Sequence, residues 1–451
     1  MKTIYRYSSF FLFATLLLIG CADNLDIEPE QSLSPDVATS TPENVQRILI
    51  GTYDEAGQTT NYGGRINLAS ELLANSGDLA WRGTFAQPFE MNFKAITVNN
   101  TFVASYWTGG YEIINQANIV LASLNVFEDP SESDRVEGEA KFLRGLTYFD
   151  LARLFGQNYV PGQQNNQLAV PLVLEAVTDA SQITFPSRNT VEEIYAQVIS
   201  DLTDAMNLLP SSNAEFADSF SAEALLARVY LQMGDYANAR DAANNVIQNS
   251  GHTLAGSFAG AFNNDSDSVE DLFAWQITSQ DGTNNMNTFW AGNGFGGRIG
   301  NPDVAINASH FSIYDDPNND ERASFFYVPG GTATTKWISQ FANIPHLRLA
   351  EMYLIRAESN FRLGTNIGAT PLADVNTLRN RSGATALGTV VLQDIIDERR
   401  RELSFEGFAL HDIKRLGENV GALPPTSDAL VLPVPQRERD ANPNLDQNPG
   451  Y

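Results

Sequence analysis

Three well-separated stretches of the chain carry apolar residues at helical spacing. In each stretch these residues fall on one face of a helix, which indicates an amphipathic helix packed on a core. A glycine that can end the helix at a positive φ closely follows each stretch. The sets are Ala140, Leu143, Thr147, Leu151 and Leu154, before Gly156; Ala222, Leu225, Leu226, Val229 and Met233, before Gly234; and Leu347, Ala350, Leu354, Ala357 and Phe361, before Gly364. The pattern therefore predicts a mainly α protein.

The second of these helices is followed by a further helical pattern that starts at Asp235. Tyr230, Gly234, Tyr236 and Ala239 match the small and aromatic positions of a tetratricopeptide unit, in which two helices pack closely. The match is good for this repeat and partial around the other two helices. We therefore predict that tetratricopeptide-like helix pairs form a scaffold. Ordinary paired helices unrelated to that repeat are the alternative.

The stretch from about residue 250 to residue 343 has a different character. It is rich in Asn, Gly, Asp and aromatic residues, and it has short apolar runs such as residues 272–275 but little helical period. Ordered loops of this length are uncommon on a helical scaffold unless they have a function, and binding surfaces are often built from loops. We therefore expect a loop-rich, irregular lobe inside one domain.

The chain begins with a segment typical of a bacterial lipoprotein leader. Lys2 and Arg6 precede an apolar stretch over residues 9–19, which suits a secretory signal but is too short to span a bilayer. Residues 18–21 read Leu-Ile-Gly-Cys and resemble the lipobox, after which a peptidase cleaves in front of a lipidated cysteine. Residues 1–20 are therefore a predicted signal peptide.

Cys21 is the predicted site of lipidation. It is the only cysteine in the 451 residues, so no disulfide can form within one chain. Acyl chains on its sulfur would anchor the protein at a membrane surface; a buried thiol in a core helix is the alternative. Residues 21–44 are rich in Asp, Glu, Ser and Pro and predict an extended tether. Residues 45–451 then form the single domain.

Composition and charge narrow the range of ligands. The chain is 43% hydrophobic and 18% charged, as expected for a globular protein with a large core. Its formal net charge is −26, and loss of the predicted leader would remove two cations and no acids. Such a field repels nucleic acid and acidic polysaccharide. A neutral ligand is therefore favoured.

Four blocks in the second half of the chain form a set of spaced motifs. They are Asn343-Ile344-Pro345 leading into residues 347–358; Val375-Asn376 with residues 378–381; residues 398–403 with Phe405-Glu406-Gly407; and residues 442–445 with residues 447–451. Trp107, Tyr111 and residues 114–118 add to them in the first half. With the lipobox they resemble the SusD/RagB family over essentially the whole mature chain. One departure is that Phe408 and Ala409 stand where family members often carry basic or other polar residues.

The resemblance implies a function as well as a fold. Members of that family are surface lipoproteins of Bacteroidetes-type bacteria, built on tetratricopeptide helices. They bind glycan, or in some members peptide, and act as a lid on a SusC-like TonB-dependent transporter in the outer membrane. The resemblance therefore implies an outer-membrane, cell-surface, lipid-anchored protein without catalysis and without a cofactor.

Charged residues that could suggest catalysis have a simpler interpretation. Glu398, Glu402 and Glu406 lie four residues apart and superficially resemble the paired carboxylates of a glycosidase. Arg399, Arg400 and Arg401 lie among them. Such spacing more often gives ion pairs that fix helix packing, and we predict that structural role.

No metal or nucleotide motif is complete in the sequence. Asp316, Asn318 and Asp320 have the spacing of a calcium loop, but Glu321 and Tyr327 stand at the positions that need glycine and a bidentate carboxylate. An EF-hand is therefore excluded, and a solvated acidic turn is favoured over another calcium site. The four histidines are scattered. The glycine-rich residues 292–297 lack the strand and helix of a dinucleotide site, so we interpret them as a surface loop.

Two tryptophans have the surroundings that a sugar site requires. An aromatic plane can contact the C–H face of a sugar ring while polar side chains bind its hydroxyls. Core positions are predicted for the other three tryptophans, Trp107, Trp275 and Trp337. The predicted site residues are Trp81 with Asn75, Asp78 and Arg82, and Trp290 with Phe289 and Asn293. The family resemblance implies that these two groups meet on one face.

The leading hypothesis is a cell-surface lipoprotein that captures neutral oligosaccharide or polysaccharide and delivers it to a TonB-dependent transporter. Three alternatives remain open at this point. The same architecture could capture peptide, the protein could be a surface glycosidase, or the helices could serve only as a scaffold for protein assembly. The sequence does not identify the glycan or its linkage.

Overall fold

A computed structural model describes residues 34–328 and 330–451. The structure is mainly helical. Its α-helices are α1 (Pro35–Ala38), α2 (Pro42–Gly57), α3 (Arg65–Ala74), α4 (Ala86–Asn92), α5 (Thr101–Ala122), α6 (Pro130–Phe155), α7 (Val191–Leu208), α8 (Ser219–Met233), α9 (Tyr236–Asn249), α10 (Asn285–Trp290), α11 (Glu321–Ser324), α12 (Leu349–Leu363), α13 (Pro371–Arg381), α14 (Leu392–Leu403), α15 (Ala409–Leu416) and α16 (Gln436–Ala441). The predicted fold class is confirmed.

Within the described residues, six short strands pair two by two in antiparallel fashion. They are β1 (Leu79–Trp81) with β3 (Val304–Ile306), β2 (Asp271–Trp275) with β6 (Ile344–Arg348), and β4 (Phe326–Tyr327) with β5 (Ala333–Thr334). The first pair joins the N-terminal half of the chain to the predicted irregular region. The second pair closes that region onto itself just before α12 begins. The long loops are therefore anchored to the helical frame at both ends.

Local signals explain where the long helices begin and end. Thr190 and Glu193 form a capping box at the start of α7, which satisfies two of the free N–H groups there. Gly234 after α8 and Gly364 after α12 have φ values of 74° and 65°, as predicted for glycines that end helices. Gly156 also ends its helix, but its φ of −111° is extended, so the predicted left-handed stop is wrong there.

The frame consists of neighbouring antiparallel helices: α6 packs on α7, α8 on α9, and α9 on α12. The predicted apolar faces of α6 and α8 lie inward, although Met233 is only partly buried. The third predicted stripe is partly wrong. Leu347 belongs to β6, and Phe361 is 37% exposed at the outer side of α12. Period alone could not separate the last residues of a strand from the first turn of the following helix.

The helical body begins earlier than the predicted boundary at residue 45. Helix α2 starts at Pro42 with Thr41 as its N-cap, and α1 already covers Pro35–Ala38. The predicted extended tether is therefore wrong for these residues. The rest of the tether, the predicted leader and Cys21 lie outside the described residues. In the part of the chain that the structure describes, no helix combines the length and apolarity needed to cross a membrane.

The acidic residues of α14 belong to a buried ionic network. Arg322 contacts Glu398 at 2.7 Å, and Arg348 contacts Glu402 at 3.1 Å and Glu406 at 2.9 Å. All five side chains are almost fully inaccessible to solvent. The predicted structural role is therefore confirmed. Arg401–Glu398 is an ion pair within the helix, but many of the other partners come from distant segments.

The acidic turn at residues 316–320 is also structural. The carboxylate of Asp316 accepts hydrogen bonds from the backbone N–H and the hydroxyl of Thr385, and that of Asp320 pairs with Arg322. Within residues 34–328 and 330–451, no group of three or more His, Cys, Asp or Glu side chains is arranged to hold a metal ion. The carboxylates of this turn thus stabilise loops rather than remaining free in solvent.

Candidate ligand-binding surfaces

The two segments predicted to form one site do meet in the structure. Strand β1 carries Trp81 and pairs with β3, which lies shortly after α10 in the chain. The ring of Trp81 lies 5.9 Å from that of Phe289, measured between centroids. Phe289 immediately precedes Trp290 in α10. Segments 75–82 and 287–293 are therefore neighbours, although the sequence separates them by about half its length.

The indole rings are nevertheless buried. Trp290 is 0% exposed, Phe289 1% and Trp81 9%. Trp290 packs against Phe405 at 5.1 Å between ring centroids, and Trp81 lies so close to Gly83 that a Cβ there would be 2.4 Å from the indole. The prediction that Trp81 and Trp290 offer open faces to a sugar is therefore wrong. The predicted core positions of the other three tryptophans are confirmed.

The polar members of the predicted site have different roles. The side-chain oxygen of Asn75 accepts from the N–H groups of Gly77 and Leu79, and its amide donates to the Leu79 carbonyl. Asn75 therefore serves mainly to shape the turn before β1. Asp78, Arg82 and Asn293 are exposed and remain available to a ligand.

A row of phenylalanines is exposed directly after β1. Phe85, Phe89 and Phe93 lie four residues apart on α4 and its flanks, so they share one face. Their exposed fractions are 38%, 50% and 59%. The rings of Phe89 and Phe93 lie 4.5 Å apart and are tilted by 42°. An exposed row of large apolar side chains is unusual on a soluble surface and indicates a contact site.

Two arginines flank this row. The guanidinium of Arg298 lies 4.3 Å from the ring centroid of Phe85 and makes two 2.9 Å hydrogen bonds to the buried carboxylate of Asp303. Arg82 is exposed, and its contact with the Gly330 carbonyl at 3.4 Å is long. We call the surface formed by Arg82, Phe85, Phe89, Phe93 and Arg298 the aromatic face. It combines apolar rings with two sets of hydrogen-bond donors, of which that of Arg298 is held in place by Asp303.

Lys94 fixes α4 to the frame. Its ammonium group donates to the carbonyls of Leu72, Asn75 and Asn92, at the ends of α3 and α4. Burial lowers the pKa of this amine to about 8. The backbone of Lys94 adopts a φ of 55°, which is uncommon for a residue with a side chain. These contacts hold the aromatic face at a fixed position on the helical body.

A cleft lies beside the polar residues Asn75 and Asp78 of the predicted site. Its volume is about 320 Å³, and it includes Asn75 and Asp78. Further walls come from α3, from the ends of α14 and from the start of α15. Its lining includes Glu71, Asn75, Ser76, Asp78, His310, Arg399, Arg400, Phe405, Phe408, Asp412, Glu418 and Asn419. We call this space the α3–α15 cleft.

Glu71, in the wall of this cleft, should make the stability of the protein depend on pH. Burial raises the pKa of its carboxyl from 4.5 to about 7, although the N–H groups of Gly407 and Ala409 lower it in part. Between these two pH values the unfolded chain loses a proton that the folded chain keeps, so stability falls as the pH rises from 4.5 to 7. The fall in the free energy of unfolding should therefore be about 3 kcal/mol smaller in Glu71→Gln than in wild type, because the variant has no carboxyl group at this position.

Denaturant unfolding of wild type and Glu71→Gln at pH 4.5 and pH 8 measures that difference. The variant should gain stability relative to wild type on going to the higher pH. Glu215→Gln changes an exposed carboxyl and serves as the matched control, with no such gain. Parallel pH profiles for wild type and Glu71→Gln would contradict the expectation.

Of the four histidines, His310 and His411 are buried and His346 is half-buried, and the three lie apart from one another. Burial lowers the pKa of His310 to about 4 and that of His346 and His411 well below the ordinary value. They are therefore neutral near pH 7. His310 packs against Phe405 at 4.8 Å between ring centroids, at the floor of the cleft. The role of these histidines is packing.

The fold defines the class of protein: a tetratricopeptide-like helical frame carrying an irregular lobe with exposed rings and a cleft. A family model described as starch-binding and associating with the outer membrane matches residues 23–231, and a model of the SusD family matches residues 233–422. The chain belongs to the SusD/RagB family, which confirms the resemblance seen in its motifs. The family descriptions place it among glycan-binding proteins associated with the outer membrane.

Individual relatives agree with this assignment. The chain is 28% identical to SusD-like protein P2 of Formosa agariphila over 99% of this chain and 100% of the relative. It is 39% identical to the starch-binding protein SusD of Bacteroides thetaiotaomicron, over 24% of this chain and 22% of that protein. A crystal structure of a SusD superfamily protein from Bacteroides thetaiotaomicron matches with a TM-score of 0.79 and 26% identity, over 91% of this chain and 100% of that one.

The exposed phenylalanines were missed in the sequence. Their spacing of four residues after Trp81 was a signal, because it places three large rings on one helical face. The same spacing is more often that of a core-facing helix. Sequence pattern alone could not decide which aromatic residues, the tryptophans or the phenylalanines, lie at the surface.

Proposed function

We propose that the protein is a cell-surface lipoprotein that captures neutral oligosaccharide or polysaccharide and delivers it to a TonB-dependent transporter. Membership in a family described as starch-binding and associating with the outer membrane supports this proposal. Lipid attachment at Cys21 would supply the anchor. Capture requires no covalent chemistry, so we propose no enzymatic activity.

The observation that carries the proposal is the aromatic face. The rings of Phe89 and Phe93 form a tilted pair open to solvent, which suits the C–H faces of consecutive sugar rings. Arg298 lies over Phe85, and the exposed Arg82 precedes Phe85 by three residues; both can donate hydrogen bonds to hydroxyl groups. The acidic net charge of −26 disfavours anionic glycans. Affinity for a neutral glycan should therefore depend little on salt.

Removing the exposed pair should weaken glycan binding without unfolding the protein. In the double variant Phe89→Ala/Phe93→Ala we expect a loss of about 2 kcal/mol of binding free energy, or roughly thirtyfold in affinity, because stacking surface disappears. Isothermal calorimetry with neutral oligosaccharides selected on a glycan array measures this loss. Phe185→Ala removes a ring that is 52% exposed elsewhere and should leave the affinity unchanged.

The same variants separate the remaining candidate functions. If wild type binds a neutral glycan and the double variant binds it equally well, the aromatic face is not the site. If wild type retains no neutral glycan but binds extended peptides in a manner that depends on Phe89 and Phe93, the protein is a peptide binder. New reducing ends after incubation with a bound glycan would instead support a glycosidase.

A further inference from the structure

We propose that the α3–α15 cleft is a second binding site, which takes one or two rings of a neutral sugar independently of the aromatic face. The cleft has a volume of about 320 Å³, at the small end of the range of about 300–1,000 Å³ for ligand pockets. This size suits a short saccharide or the end of a chain. A long polysaccharide would need the open aromatic face instead.

The rim of the cleft has unused hydrogen-bonding groups. Asp78, Ser76 and Asn419 line it and are exposed. Their side chains make no hydrogen bond or ion pair within the described parts of the chain, although the Asp78 carboxylate acts electrostatically on His310. Together they offer a carboxylate acceptor, a hydroxyl and an amide, which is the mixture that neighbouring sugar hydroxyls can satisfy. The rim therefore offers polar side chains that the fold does not use for its own hydrogen bonds.

The wall of the cleft holds an arginine with an unused donor. Arg399 is 4% exposed and is fixed by hydrogen bonds from Nε to Asp412 at 2.8 Å and from Nη2 to Glu351 at 3.3 Å. Its Nη1 is buried and has no hydrogen-bond partner among the described residues. A buried donor without an acceptor is costly; because this nitrogen is closed to solvent, a ligand oxygen would reach it only after the side chains around it shift.

An aromatic ring completes the lining. Phe408 is half-buried in the cleft, and the guanidinium carbon of Arg399 lies 5.1 Å from its ring centroid. The guanidinium carbon of Arg228 lies 4.8 Å from the same centroid, so the part of the Phe408 ring that stays exposed supplies apolar surface beside two fixed cations, which suits the C–H bonds of one sugar ring.

The charges of the cleft favour a neutral ligand. Arg399 is paired with Asp412 and Glu351, and Arg400 with Glu418. Asp78 carries no such pair among the described residues, so the accessible part of the cleft is acidic. An anionic ligand would be repelled by it.

The cleft and the aromatic face are separated by an aromatic wall. Phe405 lines the cleft and packs on Trp290, while the adjacent Phe289 contacts Phe85 of the aromatic face at 6.1 Å between ring centroids. Trp290 and Phe289 are fully buried between them. A ligand in the cleft therefore does not reach the phenylalanine pair, and the two sites can be tested separately.

The test uses Asp78→Ala/Asn419→Ala, which removes rim groups that make no hydrogen bond or ion pair within the described residues. Saturation-transfer NMR and calorimetry with the methyl glycosides of glucose, galactose, mannose and xylose, and with their disaccharides, should show binding to wild type. The double variant should bind about tenfold more weakly or worse, because two hydrogen bonds are lost. Asp265→Ala/Asn366→Ala changes exposed residues outside the cleft and should bind as wild type does.

The outcome distinguishes this site from the proposed function. Phe89→Ala/Phe93→Ala should keep the small-sugar binding of the cleft while it loses polysaccharide affinity. If no small sugar binds wild type, or if Asp78→Ala/Asn419→Ala binds as well as wild type, the cleft is not a sugar site. Loss of small-sugar binding in the phenylalanine variant would also overturn the proposal, since the two sites would then be one.

Discussion

Arg348→Met should lower the free energy of unfolding by about 3–5 kcal/mol, because it removes one member of a buried ionic network and leaves its partners uncompensated. Arg348 is 2% exposed and donates to Glu270 at 2.6 Å, to Glu402 at 3.1 Å and to Glu406 at 2.9 Å. Burial alone lowers the pKa of Arg348, but Glu406, Glu270 and Glu402 raise it well above its ordinary value. The cation is therefore firmly charged in the fold.

Guanidinium chloride unfolding at neutral pH, followed by circular dichroism, measures the effect. Arg437→Met is the matched control, since the Arg437–Glu438 pair at 3.0 Å has an arginine that is 70% exposed. Exposed pairs contribute about 0–1 kcal/mol, so this control should be close to wild type. A loss below about 1 kcal/mol for Arg348→Met would show that the network is hydrated or rearranged.

Trp290→Ala should destabilise the fold by about 3–5 kcal/mol, because it leaves a large cavity in a closely packed wall. Trp290 is the last residue of α10, and its fully buried indole packs against Phe405. Trp290→Phe should cost much less, since it retains most of the ring volume. The indole Nε1 has no hydrogen-bond partner in the described residues, so phenylalanine loses no bond there.

Thermal and denaturant unfolding of both variants, together with glycan affinity, tests this role. Trp290→Phe should remain folded and bind glycan as wild type does. A Trp290→Ala protein with wild-type stability and weakened glycan binding would mean that the indole stacks on the ligand after all. Stability and binding thus separate a packing role from a stacking role.

The helical frame was predictable because its signals are local. The period of residues 222–233 and the glycine at 234 fix α8 and its turn without reference to any distant segment. Leu347 shows the limit of such signals. It continues the apolar period of α12, yet it lies in β6 and pairs with Phe273 of β2, a strand that lies nearby in the folded chain. Pairing between strands that are far apart in the sequence cannot be recognised from the hydrophobic period of either segment alone.

The candidate site was predicted only in part, for the same reason. Segments 75–82 and 287–293 were paired through a family resemblance, and they do lie together. Whether Trp81 is open or closed depends on Phe289 and Gly83, and the closure of Trp290 depends on Phe405. The polar, glycine-containing surroundings of both tryptophans suggested loops with exposed rings. Burial is set by segments that approach from elsewhere, which composition does not record.

The order of synthesis gives the ionic network a further consequence. Arg322, Lys336 and Arg348 precede most of their partners in the chain, because Glu398, Glu402 and Glu406 come last. A polypeptide interrupted before residue 398 would hold these cations without most of the carboxylates that neutralise them, since only Asp320 and Glu270 would be present. We therefore expect nonsense alleles upstream of that position to yield material that proteases degrade, rather than a shortened, stable protein.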